Sequence, residues 1–157
     1  VVQRWEAAAQ PAVTAGLRVA YARTGLVVSS RGGAWQKLFP IFKAGIGGKL
    51  GSGKQYWPAI SLTDEVRALV FLLMQDIRGP VNLVGPHPVT NAEVTKAMGE
   101  ILKRPALIPV PGFALKAVLG EFAQDTLASQ RIVPRVLERA GFTWEQPDIR
   151  SMIESAR

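Results

Sequence analysis

The sequence predicts an α/β fold that gives way to a mostly helical C-terminal region. Three observations carry that reading. A helix-spaced apolar run, a glycine and an apolar strand-like segment follow one another near the N-terminal end. Two capped amphipathic helices then alternate with short extended segments. After Pro105 the texture changes to prolines and short helical stretches.

The elements follow in order. Trp5, Ala8, Ala9, Ala12 and Val13 fall at helical spacing, Pro11 should kink or shorten that helix, and Gly16 is a stop signal. Leu17 to Val28 is strand-like, with Arg23-Thr24-Gly25 as an interruption. Ser29 to Gly33 reads as a loop, and Ala34 to Lys43 as a short helix with Leu38, Phe39 and Phe42 on one side. A glycine-rich stretch follows, then a short strand over Tyr56 to Leu62. Thr63 is a plausible N-cap for a helix whose first turn carries Asp64 and Glu65. Val66, Leu69, Val70, Leu73 and Met74 trace its apolar face. Gly79-Pro80 reads as a turn and Val81 to Val84 as a strand. Thr90 to Glu93 is a capping box, opening a helix with Val94, Ala97, Met98, Ile101 and Leu102 on one face. Beyond Pro105, Leu107 to Pro111 is extended and Phe113 to Leu127 predicts one or two helices. Pro134 suits the first turn of another, ended by Gly141, and Asp148 caps a last one carrying Met152 and Ile153.

Composition narrows the function classes. The chain has 157 residues, enough for one domain, with 48% hydrophobic and 20% charged residues, as a packed protein requires. The longest apolar run, Ala68 to Met74, is far too short to cross a membrane. There is no cysteine, which excludes disulfides and thiolate metal sites and fits a reducing cytoplasm. A single histidine, His87, excludes a histidine-rich metal site. The net charge of +7 suits nucleic acid, acidic lipid or a phosphorylated small molecule. The basic residues are scattered and form no stripe with interleaved aromatics, which argues against nucleic acid. The first residue is not Met and the chain opens in a helical pattern, so a fragment of a longer protein is expected.

The stretch from Gly48 to Lys54, GKLGSGK, stops one residue short of a phosphate-binding loop, because Gln55 stands where Ser or Thr would hold magnesium. The residues after it, QYWPAISL, carry a proline and alternate, so no helix N-terminus faces a phosphate. The glycines therefore serve either a mobile surface connection or the rim of a binding site. In the second case Lys49, Lys54, Gln55, Tyr56 and Trp57 would offer charge and flat surface to a ligand.

Trp5-Glu6, Arg23-Thr24-Gly25, Gly32-Gly33 and Gly45 to Gln55 occur in an order that resembles the second half of the extended short-chain dehydrogenase/reductase fold. More narrowly, the chain is similar to the atypical, sugar-epimerase-like members with a C-terminal extension. The stretches Gly79 to Ala123 and Ser129 to Phe142 resemble that extension. The resemblance covers nearly the whole chain. It implies the C-terminal part of a Rossmann-like fold over residues 1–104 and a mostly helical extension over 105–157. It further implies an NADP (or NAD) cofactor held by the full-length protein, and a nucleotide-sugar or related small-molecule substrate. The N-terminal half, with its dinucleotide turn, would lie outside this chain.

On the same resemblance Arg23, Thr24 and Gly25 are the cofactor-side candidates, because their turn ends a sheet strand where open α/β sheets bind ligands. Arg23 would meet a phosphate or amide oxygen; its alternative role is to pair with Glu6 or Asp64. The substrate-side candidates are Gly33, Gln55, Trp57, Ser61, Gln130 and Arg131. Capping and surface pairing are the alternative for Ser129 to Arg131, and core packing for the tryptophans. Neither a catalytic residue nor a metal ligand is assigned. The lysine that serves proton transfer in active members would fall at Val2, and the tyrosine upstream of Val1. Where the subfamily usually has W-I-H, this chain has Ala59-Ile60-Ser61. Two readings compete with the enzyme fragment. One is a basic, non-catalytic binding module for nucleic acid or an acidic protein. The other is homo-oligomer formation through exposed edges.

Overall fold

The computed structural model describes residues 2–107, 109 and 128–157. The expected helices over Phe113 to Leu127 lie outside the described residues. The helical N-terminal run is two segments, α1 (Val2–Ala8) and α2 (Gln10–Thr14), with Pro11 in the first turn of the second, where its missing N–H costs nothing. Strand β1 (Ala20–Thr24) and strand β2 (Leu26–Val28) follow; the break falls at Gly25 alone, while Arg23 and Thr24, expected to interrupt the strand with it, continue β1 in register with β5. Helix α3 is Gly33–Lys43, burying Trp35, Phe39 and Phe42. The next extended stretch is split by Pro58 into β3 (Tyr56–Trp57) and β4 (Ala59–Ser61).

Helix α4 (Leu62–Met74) opens two residues earlier than expected. Ser61, not Thr63, is its N-cap, accepting from the Asp64 backbone N–H at 3.0 Å. Strand β5 is Gly79–Leu83, so Gly79-Pro80 belongs to the strand and not to a turn. Strand β6 (Val89–Thr90) leads into α5 (Asn91–Leu102), whose capping box between Thr90 and Glu93 is formed as expected. Helices α6 (Arg135–Arg139) and α7 (Ile149–Ala156) close the chain, the last capped by Asp148.

Strand β1 lies parallel to β5, with Ala20 opposite Gly79 and Thr24 opposite Leu83. Strand β2 lies parallel to β4, and β3 pairs antiparallel with β6. The fold is mixed α/β with small parallel sheets, as the sequence predicts. One core lies between α3, α5 and α7, around Trp35, Phe39, Trp57, Met98 and Ile153. A second, around Ile60, Leu72, Leu83, Leu137 and Phe142, joins the sheet to α4 and α6. No helix among the described residues is long and apolar enough to cross a membrane.

Helix α4 departs furthest from expectation. Its predicted core face, Val66, Leu69, Val70, Leu73 and Met74, is exposed, Leu73 and Met74 by 73% and 78%. Asp64, Glu65, Ala68 and Leu72 are the residues it buries. Trp5 (73% exposed), Val13 and Leu17 are also uncovered. Among the described residues no strand pairs with the second edge of β1.

Candidate functional site

Gly25 is where the extended run changes partners. Its N–H donates to the Leu83 carbonyl of β5 at 3.0 Å, and the next N–H, of Leu26, donates to the Pro58 carbonyl at 2.6 Å. An added Cβ at Gly25 would sit 2.2 Å from the Pro58 oxygen and 2.9 Å from Val84 Cγ1. A side chain there would force the β1–β2 run off the strands it bridges, so the residue has to be glycine.

Beyond that switch, at the carboxyl end of β1, an open cleft of about 510 Å³ lies between the β2–α3 connection and the start of α4. Gly25, Leu26, Val27, Trp35 and Leu62 give it an apolar wall. Ser29, Arg31, Gly32 and Gly33 form its polar rim. Added Cβ atoms at Gly32 and Gly33 would meet nothing within 4 Å, so the backbone faces open space there. Ser29 Oγ accepts the Arg31 backbone N–H at 3.2 Å, which fixes the turn that sets Arg31 at the rim.

The cofactor-side candidates lie together at this edge. Arg23 donates twice to Glu6, through Nε at 2.7 Å to Oε1 and through a terminal nitrogen at 2.9 Å to Oε2. The hydrogen bond from Arg23 holds the Glu6 carboxyl below its usual range, and Glu6 in turn raises the guanidinium. The alternative weighed for Arg23 is thus the contact it makes here. The pair ties α1 to β1. The Thr24 hydroxyl donates to Glu65 Oε1 at 2.8 Å, and Gly25 lines the cleft. Burial pushes the Glu65 carboxyl up, opposed by the Thr24 hydrogen bond. Its second oxygen, Oε2, has no partner among the described residues.

The substrate-side candidates divide. Gly33 is on the cleft rim. Gln55 is buried, with its amide donating to the Leu50 carbonyl at 2.9 Å, and Trp57 packs edge-on against Trp35 at 6.2 Å in the core. Ser61 is fully buried; besides capping α4, its hydroxyl lies within hydrogen-bond distance of Asp64 Oδ2 (3.1 Å) and Gln146 Oε1 (2.8 Å) and shares its one proton between them. Gln130 donates its N–H to the Tyr56 carbonyl at 3.2 Å, and the Arg131 guanidinium lies 5.7 Å from the Tyr56 ring centre. These last two therefore gather at β3.

The glycine-rich stretch is anchored. The N–H groups of Asn91 and Ala92, opening α5, donate to the carbonyls of Gln55 and Gly53, and Asn91 Oδ1 accepts the Leu50 N–H at 2.8 Å. A Cβ at Gly47 would lie 2.6 Å from the Phe42 ring, so close packing dictates that glycine. Sequence reasoning passed over Arg31, Leu26, Val27 and Leu62. The signal for Arg31 was present: a cation beside paired glycines, just past the carboxyl end of a parallel strand.

The comparisons with known proteins agree with this architecture. The family model described as a domain of unknown function, DUF1731, matches residues 110–156. The chain is 50% identical over 147 residues to the epimerase family protein Mb2239 of Mycobacterium bovis, covering 92% of this chain and 49% of the relative. Among solved structures it superposes on the human epimerase family protein SDR39U1 with NADPH (TM-score 0.85, 32% identity, 89% of this chain and 48% of that one). It also superposes on a nucleoside-diphosphate sugar epimerase from Corynebacterium glutamicum (TM-score 0.76, 33% identity, 98% of this chain and 29% of that one). The chain spans about half the length of the curated relatives it matches. With its Trp5-Glu6, Arg23-Thr24-Gly25 and Gly45-to-Gln55 motifs in place, the chain is similar to the epimerase family proteins, in keeping with a C-terminal portion of one.

Proposed function

We propose that this chain is the substrate-side lobe and C-terminal extension of an NADP-binding, epimerase- or reductase-like protein acting on a nucleotide-sugar or related small molecule. The observation that carries the reading is the cleft at the carboxyl end of β1, the place where open α/β sheets take ligands. Its residues fit one face of such a ligand. The backbone at Gly32 and Gly33 faces open space, Arg31 supplies positive charge, and Leu26, Val27 and Leu62 supply an apolar wall. The NADPH in the human relative supports the cofactor class.

The nicotinamide, when bound, supplies hydride transfer. This chain contributes the Thr24-Gly25 backbone at the edge of the site and, through the Arg23–Glu6 pair, the placement of α1. Val2, exposed on α1, cannot lower the pKa of a neighbouring tyrosine as a lysine would, so no proton-transfer step is assigned to it. The pyrophosphate-binding turn belongs to the other half of the protein. That half also covers the second edge of β1 and the apolar outer face of α4.

The test compares residues 1–157 with the full-length protein for NADPH binding by fluorescence and for NADPH oxidation. The expected result is binding by the full-length protein alone and no turnover by 1–157. Robust NADPH oxidation by 1–157 would overturn the division of labour.

A further inference from the structure

We propose that Arg31 is the anion-binding residue of the cleft beyond Gly25, whose ligand carries a phosphate or carboxylate next to an apolar face. This rests on the substrate-side reading above and adds the chemistry of the ligand. The cleft has two unlike sides. Leu26, Val27, Trp35 and Leu62 are apolar, and no acidic residue is among the described residues that line it. Arg31 is its only charged lining residue among those described.

That guanidinium is uncommitted. Arg23, Arg67, Arg78 and Arg150 each pair with a carboxylate, on Glu6, Asp64, Asp76 and Glu100 in turn. Arg31 has no carboxylate within 4.0 Å among the described residues, and only its backbone N–H is used, by Ser29. The guanidinium fork matches the paired oxygens of a phosphate or carboxylate. With Gly32 and Gly33 beside it presenting no side chain, such a group reaches the fork without a clash. A wall of apolar side chains next to one cation selects a flat or apolar body bearing an anion and gives little to an uncharged polar molecule.

The test uses the full-length protein and its Arg31→Gln and Arg31→Lys variants. Arg31 is exposed, so neither substitution disturbs the core. Isothermal titration with uridine 5′-diphosphate, benzoate and uridine separates a phosphate source, a carboxylate source and the uncharged body. The expected result is that at least one anion binds and that R31Q weakens it by about tenfold or more, with R31K between the two. Uridine binds weakly and equally to all three proteins. Which anion binds tells phosphate from carboxylate. Failure of both anions to bind wild type, equal anion affinity in wild type and R31Q, or uridine as tight as its diphosphate overturns the proposal. NADPH binding by wild type is titrated in parallel. Arg31-dependent anion binding in a protein that ignores NADPH defeats the dinucleotide reading and leaves this one standing, and the reverse pattern does the opposite.

Discussion

Helix α5 buries Val94, Thr95, Ala97, Met98 and Ile101, the side its apolar spacing marks as inward. Helix α4, with an equally regular apolar stripe, turns that stripe to solvent and buries Asp64, Glu65, Ala68 and Leu72. The difference lies in what each helix has to satisfy. Helix α5 is apolar on one side, and α3 and α7 cover that side. Helix α4 is apolar on nearly every side, so a single covering layer leaves half of it wet. Its orientation is chosen by polar chemistry. Asp64 accepts from the backbone N–H groups of Glu145 and Gln146 at 2.9 Å each, from the Ser61 hydroxyl at 3.1 Å and from Arg67 at 2.9 Å. A fully buried carboxylate needs these donors, and only one rotation of α4 delivers them.

The largest expected effect tests that statement. Asp64→Ala strands the two loop amides and should cost about 4 kcal/mol in urea unfolding. A cost near that of a surface residue would mean that the apolar core, and not Asp64, orients α4. Next comes Met98→Ala on α5, which empties a fully buried site and should cost about 3 kcal/mol. Its counterpart on α4, Leu73→Ala, should cost less than about 0.5 kcal/mol in residues 1–157, because Leu73 is 73% exposed. In the full-length protein the same truncation should rise to about 2 kcal/mol, since the proposed cover is then present. Equal small costs in both forms would show that the other half of the protein does not sit on α4.

These contrasts show how much of the molecule was legible in the sequence. Local signals survived. The Thr90–Glu93 box and the Asp148 cap each depend on a few neighbouring residues, and each formed where expected. Signals that depend on a distant partner did not. Thr63 and Ser61 are equally good caps by residue type, and the choice fell to Ser61, whose hydroxyl also reaches Gln146, 85 residues on. Gln55 and Trp57 looked like rim residues because glycines surround them. The anchoring of their loop to the start of α5 turns both inward. The cleft itself was only half legible. Gly25 and Gly33 mark its edge, but Leu62 joins it from another element through the β2–β4 pairing, which local periodicity does not encode.

The smallest effect concerns the other acid on the inward side of α4. Glu65 is 7% exposed, accepts one hydrogen bond from Thr24 and leaves Oε2 without a partner among the described residues. Burial raises its pKa, so the folded state holds the proton more tightly than the unfolded state. The sign follows from linkage. The contribution of this group is fully present below the ordinary carboxylate value and is lost as pH rises through the raised, folded value. Wild-type stability should therefore fall slightly across the range just above pH about 4.3, where most carboxylates have already titrated. Glu65→Gln keeps the acceptor for Thr24, carries no charge, and should flatten that decline. Thermal melts of the two proteins across that range measure it: curves that converge at acidic pH and separate in favour of E65Q at neutral pH agree. Parallel curves would mean that Oε2 finds a donor when ionised, and that both carboxylates of α4 are fully served by the fold.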